Sequence, residues 1–140
     1  MSLAIALSQT CLGINDKGEA ALDDLMKLYD DGILWVDPMQ THLGVQHVEA
    51  FYRNVLRRSH GFKLSIVSIA EDKDVAHIAW RLHWTPRLGL AQTVDGASFL
   101  RVKDDKIIFQ QNYFDLLTSG LSALPFGNAV FQTLVKPVIG

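Results

Sequence analysis

Residues 29–52 read YDDGILWVDPMQTHLGVQHVEAFY, and the breaks inside this stretch decide how the rest of the chain is arranged. Upstream of it, Leu22, Leu25, Met26 and Tyr29 recur at helical spacing. That period predicts a first helix, capped by Asn15 or Asp16 and closing at Tyr29. Asp30, Asp31 and Gly32 then break the period and turn the chain. Ile33 to Val36 is β-rich and too short for a helix, and Pro38, which cannot donate to a ladder, ends that strand near Asp37. A second helix is expected over 45–58, with Val48, Phe51, Tyr52 and Val55 on one face and Arg57 and Arg58 at its C-terminal end. The stretch therefore holds one carboxylate, Asp37, at a strand end between two helices and close to Trp35. Asp37 is expected to be at least half buried. A carboxylate held against apolar walls is one way a fold obtains a general base near neutral pH.

Beyond Gly61 the pattern becomes extended. Phe62–Ala70 is β-rich, and the polar run Glu71–Asp74 reads as a hairpin turn. Along Val75–Thr85 the residues alternate: Ala76, Ile78, Trp80, Leu82 and Trp84 share one face, and His77, Arg81 and His83 share the other. Thr93–Lys103 and Lys106–Asp115 follow as strands across a tight turn at Asp104 and Asp105. Ser98 falls on one face of the first, and Gln110, Asn112 and Phe114 share a face of the second. Helices followed by successive antiparallel strands predict an α+β fold, a curved sheet covered on one side by the N-terminal helices.

A length of 140 residues, about half of them apolar, fits one globular domain over 1–140. The formal charge of −2, with no basic run longer than Arg57-Arg58, excludes a nucleic-acid footprint. Cys11 is the single cysteine, so an intrachain disulfide is impossible, which fits a reducing, cytoplasmic setting. The apolar start, Met1–Leu7, lacks the basic residues of a signal peptide. The five histidines show no metal spacing on any one element, so neither a metal nor a cofactor is expected.

The order Tyr-Asp-Asp, short strand, Asp37-Pro38, Gly44 and a helix bearing Phe51-Tyr52 resembles the cone-shaped superfamily of nuclear transport factor 2, ketosteroid isomerase and SnoaL-like polyketide cyclases. Asn112-Tyr113-Phe114-Asp115 resembles the last-strand motif of that superfamily, notably of limonene-epoxide hydrolases. The likeness spans roughly residues 16–117. It implies a cone-shaped sheet around a small-molecule pocket. It also implies an isomerase- or cyclase-type proton transfer on a small hydrophobic carbonyl substrate, with Asp37 as base and Ser98 or Asn112 stabilising the enolate. Trp35, Tyr52, Trp80, Leu82, Trp84, Gln110 and Phe114 would line that pocket. The chain departs from its relatives in three places. Ser98 stands where ketosteroid isomerases carry an oxyanion acid, and Gly13 where they carry a tyrosine. Asn112 replaces the aspartate that opens the epoxide-hydrolase motif, and Arg81-x-His83, the nearest match to their Arg-x-Asp pair, lies on the opposite strand face. The alternatives are a non-catalytic binder of hydrophobic ligands and a protein-interaction module of the same fold.

Two expectations concern surfaces. A single curved sheet leaves its outer face, with His77, Arg81 and His83, open to a partner, and a homodimer is expected there, as superfamily members often pair. Residues 116–140 form an apolar extension with one charged side chain, Lys136. They are expected to fold back as two short helical pieces split near Pro125 and to close part of the cone. A membrane-lying helix would bring more basic residues on its polar face, so membrane contact is not expected.

Overall fold

The structure is a computed structural model and describes residues 2–115; the expectation for the extension 116–140 lies outside the described residues. The chain opens with α1 (Leu3–Lys17), a 3₁₀ turn (Gly18–Ala21) and α2 (Leu22–Met26). Strands β1 (Tyr29–Val36) and β2 (Thr41–Leu43) lead into α3 (Val45–Arg57), and four long strands follow: β3 (Ser59–Asp72), β4 (Val75–Pro86), β5 (Gln92–Lys103) and β6 (Lys106–Phe114). All six strands form one open, curved sheet in the order β2-β1-β6-β5-β4-β3. Only β1 and β6 run parallel; the other neighbours are antiparallel. Register shifts in β3, at Ser59/Gly61 and Ile66/Ser68, interrupt the ladder where such a sheet has to bend.

The α+β architecture and the second helix match the sequence expectation; the N-terminal third differs from it. Ser2 caps α1 by accepting a hydrogen bond from the Ile5 amide at 3.1 Å, and this helix runs to Lys17. Gly18, at φ 57°, ends it as an α-helical C-cap. Asn15, expected to start a helix, instead docks α1 on β3. Its side chain donates to the Leu64 carbonyl and accepts from the Leu64 amide, both at 2.8 Å, imitating a strand neighbour. Tyr29, expected to close a helix, opens β1 and pairs with Ile107 of β6. Strand β2, which was read as loop, is a three-residue edge paired to β1.

The two tight hairpins follow from local chemistry. Asp104 and Asp105 both sit at positive φ (51° and 61°), the pattern of a type I′ turn that matches strand twist. The largest fully buried side chains, Leu22, Leu25, Ile33, Val48, Leu100 and Ile107, lie on α2, β1, α3, β5 and β6, so the core sits between the helices and the inner sheet face. Arg53 of α3 pairs with Glu49 at 2.8 Å and Glu19 at 3.3 Å, and Arg57 reaches Glu19 at 3.1 Å, which ties α3 to the 3₁₀ turn at the surface.

Candidate functional site

Between the helices and the sheet lies a cavity of about 170 Å³. Strand alternation and helix spacing bring its walls together from five elements. Leu7, Ser8, Cys11 and Ile14 come from α1; Phe51, Tyr52 and Val55 from α3; Phe62, Leu64 and Ile66 from β3; Ile78, Trp80 and Leu82 from β4; and Trp35 from β1. Trp35 is only 3 % exposed. Its ring meets Phe51 at 4.8 Å, His42 at 5.7 Å and Tyr52 at 6.1 Å between centroids.

The polar part of the wall is concentrated on two paired strands. Ser98 of β5 lies directly opposite Asn112 of β6, and Gln110 is two residues away on the same face. These groups form a continuous hydrogen-bonded chain. Tyr29 O–H donates to Gln110 Oε1 at 2.6 Å, and Gln110 Nε2 donates to Asn112 Oδ1 at 2.9 Å. Ser98 O–H donates to the same Asn112 oxygen at 2.5 Å, and Trp80 Nε1 donates to Ser98 Oγ at 3.0 Å. Burial raises the pKa of both the Tyr29 and Tyr52 phenols, because the phenolate loses its water. The Trp35 N–H opposes part of that rise from beside the two phenol oxygens, yet meets no partner in hydrogen-bond geometry. The Cys11 thiol is pushed up to about 12 by the same desolvation. The cavity wall therefore holds no charged side chain, and its titratable groups stay neutral at physiological pH.

Of the residues singled out from sequence, Trp35, Tyr52, Trp80, Leu82, Ser98, Gln110 and Asn112 meet at this cavity. Asp37, Trp84 and Phe114 do not line it. Asp37 is 8 % exposed, but Pro38 turns the chain away, and Asp37 Oδ1 accepts from the Met39 and Gln40 amides at 2.7 and 2.9 Å. This is an Asx turn, the conformation that carries β1 into β2. Trp84 lies one step beyond Leu82 on its face, where its N–H donates to Ser59 Oγ at 2.7 Å. Phe114 ends β6 and stacks behind Trp80, with centroids 6.3 Å apart.

Sequence reasoning missed Ser8, Cys11 and Tyr29. The spacing Leu7, Cys11, Ile14 is a helical stripe and marks the cavity-facing side of α1. It also missed Gly96, which pairs with Trp80 across the ladder. A Cβ at Gly96 would overlap the Trp80 ring and come within 2.8 Å of the Tyr113 carbonyl oxygen, so only glycine lets the indole lie there. Among the described residues no three His, Cys, Asp or Glu side chains come together as a metal-ligand set, and no helix is long and apolar enough to cross a membrane.

The same architecture recurs in solved structures. A nuclear transport factor 2-like protein of unknown function from Exiguobacterium sp. 255-15 superposes with a TM-score of 0.70 at 24 % identity, over 81 % of this chain and 98 % of that one. A protein of ketosteroid isomerase-like fold from Catenulispora acidiphila, solved in complex with trimethylamine, gives 0.72 at 20 % identity, over 88 % and 93 %. A provisionally named SnoaL-like polyketide cyclase from Jannaschia sp. CCS1 gives 0.71 at 16 % identity, over 86 % and 93 %. No curated protein matches the sequence. Residues 16–110 match the SnoaL-like domain, a span that runs from α1 to the Gln110 of the cavity wall, and the chain belongs to that family.

Proposed function

We propose that this chain is a small-molecule pocket protein, which takes a small hydrophobic molecule into the space between its helices and its sheet. The observation that carries this reading is the 170 Å³ cavity, with apolar walls and one polar strand pair, and without a charged side chain. Sites for small apolar ligands have this composition: mostly hydrophobic and aromatic lining with a few placed polar groups. Binding is favoured over catalysis because the wall offers no group able to accept a proton near neutral pH. The test is a titration with benzene-sized probes followed by the fluorescence of Trp35 and Trp80. Ile78→Trp, which fills the cavity, is expected to abolish binding, and unchanged binding in that variant would refute the reading.

A second reading, proton transfer of the isomerase or cyclase type with Asp37 as base, is favoured by a separate observation. Asp37 is a buried carboxylate two residues beyond Trp35, and the Asx turn uses only its Oδ1. Ser98 or Asn112 would then stabilise the enolate. If this reading holds, the protein accelerates deuterium exchange at the α-carbon of a small ketone and Asp37→Asn abolishes that acceleration; exchange equal in both proteins counts against it. In either reading a second copy of the chain is the proposed partner at the outer sheet face, where His77, Phe99 and Phe109 form an aromatic row.

A further inference from the structure

The hydrogen-bond pattern of the cavity is unbalanced, and the imbalance describes a ligand. Every acceptor in the polar chain is used: Asn112 Oδ1 takes two donors, Gln110 Oε1 takes the Tyr29 hydroxyl, and Ser98 Oγ takes the Trp80 indole. The Asn112 amide nitrogen, by contrast, donates to no described residue. Ser8 Oγ and the Trp35 N–H are buried in the same wall, again without a partner. A donor left without an acceptor in an apolar site costs free energy until something satisfies it.

The walls add two limits. They carry no charge, so a carboxylate or ammonium would enter without a counter-ion, which a low-dielectric site strongly disfavours. A volume of about 170 Å³ is close to the roughly 150 Å³ of an engineered cavity that holds benzene. A steroid or a fused-ring polyketide is far larger than that.

We propose that the ligand is a compact, uncharged molecule of about benzene's size bearing one hydrogen-bond-accepting oxygen, such as a small ketone, ester or lactone, whose oxygen is received by the Asn112 amide. The proposal rests on the pocket reading above and adds the chemical class. The Asn112 side chain is held for this task from both sides, because Ser98 and Gln110 fix its oxygen and thereby aim its nitrogen.

The experiment uses the full chain and four probes of one shape: cyclohexanone, methylenecyclohexane, cyclohexylammonium and cyclohexanecarboxylate. Both neutral probes are expected to bind, and each ion at least about a hundredfold more weakly than the ketone. The infrared carbonyl stretch of bound cyclohexanone is expected at lower wavenumber than in hexane, as a hydrogen-bonded carbonyl requires. Asn112→Asp keeps an acceptor for Ser98 and Gln110 and removes the free donor. It is expected to lower the ketone-to-alkene affinity ratio by about tenfold. If neither neutral probe binds, the pocket reading itself fails. If the alkene binds but the bound ketone keeps its hexane frequency, or an ion binds as tightly as the ketone, the pocket reading stands and this proposal is overturned. The infrared measurement on the unmodified protein decides the matter should the Asn112 variant not fold.

Discussion

Replacing Gly96 by alanine tests whether the cavity wall is set by one close approach of Trp80 to the backbone. Trp80 stands opposite Gly96 in the β4–β5 ladder, and its ring covers the glycine while its N–H reaches Ser98. The added methyl would enter the space of the ring and lie 2.8 Å from the Tyr113 carbonyl oxygen. Rotating the indole cannot relieve the contact with Tyr113, which is backbone, so the β5–β6 pair has to move as well. Forcing a methyl into a packed interior costs about 1–3 kcal/mol, and losing the Trp80–Ser98 hydrogen bond adds about 1 kcal/mol. The reduced freedom of the unfolded chain returns about 0.5–1 kcal/mol. The net expectation is a loss of about 2 kcal/mol, which for a domain of this size lowers Tm by about 5–10 °C. Thermal melts read by circular dichroism, with tryptophan emission followed in parallel, measure both the stability and the displaced ring. Gly61→Ala is the control, because its methyl would meet only Thr85 side-chain atoms at 3.4 and 3.6 Å, and its stability is expected within about 0.5 kcal/mol of the parent. A Gly96→Ala protein as stable as the Gly61→Ala protein, with unshifted tryptophan emission, would refute the reasoning.

Three further expectations follow from other parts of the structure. Glu19 is held below its usual value of 4.5 by hydrogen bonds from Arg57 and Arg53. Its contribution is therefore complete above pH 4.5 and fades as the pH falls through its lower folded value, so Glu19→Gln should destabilise the protein at pH 7 and leave it unchanged near pH 2; an equal effect at both would argue against the pairing. Raising the Cys11 thiol from 9.0 to about 12 cuts its thiolate fraction by about a thousandfold, so iodoacetamide should label the native protein at least that much more slowly than the urea-unfolded chain at pH 8, and comparable rates would place Cys11 outside the wall. Sedimentation at micromolar concentration should show a dimer that Phe99→Glu dissociates, because Phe99 sits at the centre of the outer row, 5.0 Å from His77 and 6.2 Å from Phe109; a monomer at that concentration removes the proposed interface.

How far the sequence could be read depended on the range of the interaction that fixed each residue. Period-two alternation is local, and it placed Trp80, Leu82, Ser98, Gln110 and Asn112 on the inner face correctly, because each of those strands has one buried side. Alternation names a face but not a depth along the strand. Trp84 and Phe114 share the face of their neighbours, yet each lies one step too far along to touch the cavity. Asp37 illustrates the competition within one residue: the Asp-Pro pair is both a site motif and turn chemistry, and its Oδ1 is used by the turn. Tyr29 failed for the opposite reason. Leu22, Leu25, Met26 and Tyr29 keep a helical period through a boundary that only β6, some eighty residues later, imposes: Tyr29 pairs with Ile107, and the Ile107 amide donates to the Leu28 carbonyl. α1 was underread in the same way, since its role depends on Asn15 meeting Leu64. The two residues most informative about the ligand, Ser8 and Trp35, are conspicuous only once their donors are seen to lack partners, and that is a property of the closed cavity that no local pattern carries.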